Sequence, residues 1–314
     1  MNNGYRLVSF HSGSGASAAG VLVGERVYAA DRLLQDVPGI ADRGSILGLL
    51  RSWDAVHGHL GAAVGRFAGE DGIALSEVTL LAPLLYPGAL YCAGANYWDH
   101  LQEMAEIAKR VTGKMPSLQK AAEPYFFMKN TAGAIIGPDA PARLPSFSKQ
   151  VDWEAELGVV IGKQCRHVRE ADAFSVVAGY LIVNDLSARD LMKREGSPFG
   201  MDWVGQKCFE DAAPMGPWLT PASCVKDANN LSIKLWVNGV LKQNSSTSKL
   251  VHGIAEQIAY LSKHFTLFPG DVIATGTPAG VGMPRGEFLK AGDEVKIEIE
   301  GCGTLVNRMV AENE

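Results

Sequence analysis

The segment Asp152-Trp153-Glu154-Ala155-Glu156-Leu157-Gly158 carries the sharpest chemical signal in the sequence. If it enters a strand over residues 157–161, Glu154 and Glu156 point to one face, while Trp153, Ala155 and Leu157 point to the other. Two carboxylates spaced by roughly 7 Å on one face repel unless water or a cation relieves them. Hard divalent cations take such oxygen ligands, and Mg2+ commonly uses few carboxylates and keeps waters that a substrate can displace. Asp185 is the candidate third carboxylate: it closes the apolar run 180–184, where a strand end would aim it into a cleft. The plain alternative is a solvated strand face, and Glu-x-Glu alone does not decide between them.

A second pair is His100 and Glu103, in Gly94-Ala95-Asn96-Tyr97-Trp98-Asp99-His100-Leu101-Gln102-Glu103. On a helix, positions i and i+3 are neighbours, so the carboxylate can hold the imidazole and raise its basicity. That arrangement suits a base that activates water; an ordinary surface pair on a helix has the same spacing. Other patterns read as structure. His57-Gly58-His59 has no nearby carboxylates, and Gly13-Ser14-Gly15 lacks the strand-to-helix setting of a nucleotide loop. No Gly-x-Ser-x-Gly elbow or Walker-type lysine occurs.

The elements that must position these groups are mostly strands. Runs 157–161 and 176–183 are apolar and bounded by Gly or Asn, as in strands buried on both faces. Residues 231–237 alternate and run into Asn238-Gly239, a pair suited to the left-handed backbone of a tight hairpin. Residues 295–299 also alternate, and 271–275 form a strand leading into Gly276-Thr277-Pro278-Ala279-Gly280-Val281-Gly282. Ile254, Ile258, Leu261 and Phe265 mark an amphipathic helix. Upstream, strands are expected at 5–10 and 20–23, a helix over 45–67, and a linker at 82–88. Strands dominate without regular alternation with helices, so the fold class is α+β and β-rich, a mixed β-roll or sandwich. A small N-terminal α+β domain, 1–78, would precede a catalytic domain, 79–314.

The chain has 314 residues, 47% hydrophobic and 20% charged, which excludes disordered and fibrous classes. Twenty-nine basic against thirty-four acidic residues leave a net charge of −5 with no dense Lys/Arg run, so no nucleic-acid partner is expected. No apolar stretch approaches the roughly 20 residues of a membrane span. The opening Met1-Asn2-Asn3-Gly4-Tyr5-Arg6 lacks a signal-peptide pattern. Five cysteines without a Cys-x-x-Cys pair read as reduced thiols of a cytoplasmic protein.

Taken in order, several motifs resemble the fumarylacetoacetate hydrolase family: Gly94-x-Asn96-Tyr97-x-x-His100-x-x-Glu103, Phe127-x-Lys129, Asp152-x-Glu154-x-Glu156-Leu157 and Asn184-Asp185-x-Ser187-x-Arg189-Asp190. The likeness continues through Lys207, Pro214-x-Gly216-Pro217-Trp218, the Asn238-Gly239 hairpin and Thr275-Gly276-Thr277-Pro278-x-Gly280-Val281-Gly282. It spans roughly residues 80–310. The resemblance implies a β-roll homodimer that holds Mg2+, with Mn2+ or Ca2+ as alternatives, on Glu154, Glu156 and Asp185. It implies a catalytic dyad of His100 and Glu103 on a lid around 96–123, with Lys207 also in the catalytic set. Lys129, Arg189 and Thr277 would contact the substrate. The founding branch has a further acidic ligand where this chain has Ala93, so the chain is closer to the three-carboxylate acylpyruvate branch. The activity expected by analogy is metal-dependent cleavage of a carbon–carbon bond in an acylpyruvate or diketo acid, in aromatic-compound catabolism. Oxaloacetate decarboxylation, a 2-oxo-acid hydratase or isomerase reaction, and a degenerate small-acid-binding homologue are the alternatives.

Overall fold

The computed structural model describes residues 4–13, 15–64, 72–196 and 200–313. Ser14 of the Gly13-Ser14-Gly15 pattern, and 65–67 at the end of the expected N-terminal helix, lie outside them. A twelve-stranded mixed sheet forms the body. Its central pair is Ala155–Ile161 and Val177–Asn184, antiparallel with Ala155 opposite Asn184. Every residue of both strands is buried, as the apolar runs 157–161 and 176–183 predict, with Glu156 and Asn184 buried among them. Val272–Ala274 pairs with the first of them, and Leu90–Gly94 lies parallel to Val272–Ala274 with Cys92 opposite Ala274. The start of Ala155–Ile161 and the far ends of the other three strands are thereby brought together.

A second, five-stranded sheet contains the hairpin Ser232–Val237 and Val240–Ser246, flanked by Glu294–Ile299 and Gly303–Ala311. Asn238 and Gly239 both have positive φ, 50° and 75°, as the tight turn requires. The amphipathic helix Ile254–His264 buries Ile254, Ile258 and Leu261. The five cysteines are free thiols.

The strands Arg6–His11, Ala18–Val23 and Arg26–Ala29 continue the large sheet through Leu7, which pairs with Leu219 of Ala213–Pro221. Alternation in Arg6–His11 sends Leu7 into the main core, and Val8 and Phe10 into a small cluster with Leu22 and Val27. One expected element differs. The helix over 45–67 is two helices, Ile46–Leu50 and Trp53–Ala63. Ser45 caps the first by accepting from the Gly48 N–H. Ser52 breaks the run, leaving helical geometry with ψ 35° while its hydroxyl donates to the Gly39 carbonyl.

Candidate active site

At the convergence of strand ends, Glu154, Glu156 and Asp185 are all buried and offer oxygens that lie within 4.8 Å of one another. Asp185 joins the two glutamates from the end of the neighbouring strand, its N–H donating to the Glu154 carbonyl. Three cations come to the trio. Lys129 follows the strand Tyr125–Met128 and donates to Asp185 Oδ1 at 2.5 Å and to the Leu186 carbonyl. Lys207 ends the short helix Trp203–Lys207, which Asp202 caps, and bridges Glu154 Oε2 at 2.9 Å and Asp185 Oδ2 at 2.8 Å. Its ammonium also lies 4.9 Å from the centre of the Phe127 ring. Arg189 gives Nη2 to Glu154 and Nε to Asp152. Thr277 bridges the Ala155 carbonyl and Gln243 Nε2.

These contacts treat the carboxylates unequally. Burial alone would raise the Glu154 carboxyl, but Lys207 and Arg189 outweigh it and hold the group well below the usual carboxylate range. Glu156 goes the other way: burial, then Asp185 and Glu154, push it well above its ordinary value. Among the described residues it has no cation within ion-pair distance, and only the Gly276 N–H reaches Oε2, at 2.8 Å. An all-oxygen trio with one uncompensated member fits a hard divalent cation. Each oxygen has lone pairs enough to accept from a lysine and also ligate.

The second half of the site rides on the helix Trp98–Thr112. His100 Nδ1 is buried and lies 3.6 Å from Glu103 Oε2, with no hydrogen-bond partner among the described residues. Glu103 also accepts from the Gly280 N–H at 3.1 Å, and Arg285 stands 3.9 Å away. Burial opposes its charge, but His100, the Gly280 N–H and Arg285 together hold its carboxyl below the ordinary value. His100 is also close enough to Glu154 to favour that carboxylate. The helix start is tethered by Asp99, which accepts from Ser245 Oγ at 2.5 Å, Lys249 Nζ at 3.2 Å and the Ala279 N–H at 3.3 Å. Beyond the helix, the exposed stretch to Glu123 meets the helix Ile254–His264 through Lys120–Glu256 and Glu123–Lys263.

The turn after Val272–Ala274 joins the halves. Gly276 and Gly280 have φ of 103° and 107°, and a Cβ on Gly280 would fall 2.1 Å from the Lys242 carbonyl oxygen. Glycine there lets the backbone donate to Glu156 at one end and to Glu103 at the other.

All nine residues singled out from the sequence thus lie in or against this one site. Sequence reasoning passed over Asp152, which is fully buried and accepts from Arg189 and from the N–H groups of Gly282 and Met283. The signal was present: Asp152, Glu154 and Glu156 share one strand period. Asp99 and Gln243 were also missed, since their partners lie far off in sequence.

Comparison with known proteins adds to this geometry. Residues 89–310 match the family model described as fumarylacetoacetate (FAA) hydrolase C-terminal. A human protein named as a mitochondrial oxaloacetate tautomerase is 42% identical over 75% of this chain and 70% of its own. Maleylpyruvate hydrolase from Sphingobium sp. SYK-6, solved with manganese(II) and pyruvate, superposes with a TM-score of 0.73 at 30% identity, covering 98% of this chain and 99% of its own. A 2-hydroxyhepta-2,4-diene-1,7-dioate isomerase from Mycobacterium marinum gives 0.70 at 31% identity, covering 99% and 100%.

Proposed function

The chain belongs to the fumarylacetoacetate hydrolase family, and on that premise we propose that it is a divalent-metal-dependent tautomerase of a short 2-oxo acid of the oxaloacetate type. The observation that carries this reading is the His100–Glu103 pair set beside a buried carboxylate trio with one uncompensated member. The tautomerase relative at 42% identity supports the reaction type. A cation on Glu154, Glu156 and Asp185, Mg2+ in this reading with Mn2+ as the alternative, would supply a Lewis acid for the 2-oxo and carboxylate oxygens.

The chain's own groups move the proton. With Nδ1 turned to Glu103, His100 presents Nε2 on the far side of its ring. Nε2 takes a proton from the carbon next to the carbonyl. The C–H electron pair becomes the carbon–carbon double bond, the carbonyl π pair moves to oxygen, and the imidazolium returns the proton to that oxygen. The reverse sequence regenerates the ketone. Glu103 stabilises the imidazolium between the two transfers. Lys129, Lys207 and Arg189 hold the trio in place, since their donors are committed to its carboxylates.

A second reading, hydrolysis of an acylpyruvate, is favoured by the likeness to maleylpyruvate hydrolase over nearly the whole chain. There His100 would take the proton of a water that adds to the distal carbonyl. The carbon–carbon bond breaks, and its electron pair passes to the pyruvate-type enolate, which is then protonated. The test follows enol–ketone interconversion of oxaloacetate by absorbance, and the products from acetylpyruvate by mass, with and without Mg2+. Metal-dependent interconversion that His100→Ala abolishes supports the tautomerase. Pyruvate plus acetate without accelerated interconversion replaces it with the hydrolase, and carbon dioxide from oxaloacetate replaces both with a decarboxylase.

A further inference from the structure

Tyr97 stands immediately before the His100 helix, its backbone bridged to Leu250. Its ring is fully buried, yet among the described residues its hydroxyl has no hydrogen-bond partner. Leaving such a group unpaired is costly, and buried tyrosine hydroxyls normally find a partner. Polar side chains next to it in the chain and in the turn 275–282 are already engaged. Asn96 bonds the Thr275 carbonyl and both backbone groups of His252. Thr277 is held between Ala155 and Gln243.

The charges that weigh on the hydroxyl are Glu156 and, after it, Asp99. Glu156 is anchored on Gly276 and Asp99 on Ala279, and a Cβ on Gly276 would fall 2.8 Å from Asn96 Cβ, so the chain at Asn96-Tyr97 passes directly against the turn that joins the two halves of the site. Burial, reinforced by these two carboxylates, pushes the phenol far up, so the group remains a neutral O–H donor. An orphaned donor packed against the turn that holds the one uncompensated carboxylate is suited to an oxygen that arrives with the occupant of the site.

We propose that the Tyr97 hydroxyl is a substrate-binding group, donating a hydrogen bond to an oxygen of the 2-oxo acid bound beside Glu156. The proposal rests on the 2-oxo-acid reading above. It has a thermodynamic signature opposite to that of an ordinary buried hydrogen bond. Deleting a hydroxyl bonded within the protein destabilises the empty protein, whereas deleting an orphan does not.

The experiment compares wild type with Tyr97→Phe in three states: metal-free, Mn2+-loaded, and Mn2+-loaded with pyruvate. The metal-free variant should melt at the same temperature as wild type or higher. Its Mn2+ affinity should stay within about twofold, and pyruvate affinity should fall about five- to tenfold, the loss of one hydrogen bond. A metal-free variant that melts several degrees lower overturns the proposal, because the hydroxyl then has a partner inside the protein. Unchanged pyruvate affinity overturns it as well. So does a fall in Mn2+ affinity matching the fall for pyruvate, which would place the effect on the carboxylates. A wild type that binds Mn2+ but not pyruvate overturns the 2-oxo-acid reading itself, whereas equal binding by both proteins overturns only the role of Tyr97.

Discussion

Glu154, Glu156 and Asp185 sit at strand ends in the middle of the large sheet, every one buried, with lysines and an arginine closed around them. His100 and Glu103 ride on a helix whose buried face amounts to Ala105, and which is held at its start by carboxylate contacts with a turn and a hairpin. The carboxylate centre is therefore part of what keeps the protein folded, while the dyad is an attachment to it. Buried charge is costly unless every member is compensated; a half-exposed helix can lose a side chain and stay in place. Chemistry and stability should separate cleanly at the dyad and be inseparable wherever a carboxylate of the trio shares a buried cation.

The sharpest break of that contrast is Lys207→Met. It leaves Glu154 and Asp185 short of a buried partner, so unfolding free energy in urea should drop by about 3–5 kcal/mol, with turnover lost as well. His100→Ala should do the reverse: turnover falls by about 10²–10⁴-fold, while the urea midpoint hardly moves, since Nδ1 has only its 3.6 Å contact with the partly exposed Glu103 to lose.

Glu156→Gln sharpens the comparison from inside the rigid half. Calorimetry should find Mn2+ affinity down by at least about tenfold, yet the metal-free variant should be as stable as wild type or more so. The pH dependence follows from the same cause. A carboxyl whose folded pKa is raised favours the folded state below its unfolded pKa, and that contribution is lost as pH rises through the folded value. Metal-free protein should thus lose stability with rising pH, and Glu156→Gln should flatten the trend. Mn2+ affinity should climb over the same range with release of a proton, seen as a buffer-dependent heat. The smallest effect is expected from Asp99→Ala. Cutting the helix tether should lower turnover about three- to tenfold, roughly one hydrogen bond's worth, and speed amide exchange over 98–104, leaving Mn2+ affinity unchanged.

What could be read from the sequence was whatever repeats at short range. The alternation through Glu154 and Glu156, the 100/103 spacing, the Asn238-Gly239 turn and the apolar face of Ile254–His264 are all local patterns, and the structure contains them. Whatever depends on which distant segments meet was not legible. Arg189 illustrates this: the family resemblance implied a substrate contact there, and only the structure shows its guanidinium bonded to both Asp152 and Glu154. The break at Ser52 is of the same kind, since the apolar spacing of that helix gives no sign of the Gly39 carbonyl that captures its hydroxyl. The orphaned hydroxyl of Tyr97 could not be foreseen either, because a missing partner becomes visible only once every neighbour is placed.

The turn that donates from Gly276 to Glu156 and from Gly280 to Glu103 also acts as a gauge. In the proposed reaction these two groups address neighbouring atoms of one small molecule, and they hang from the same four peptide units, so their separation is counted out in covalent bonds. A single inserted residue would add up to about 3.5 Å of slack, as much as the distance from His100 to Glu103. Elsewhere on the surface, loop length can drift with little consequence; here a change of one residue would put the two halves out of step while leaving every functional side chain in the chain.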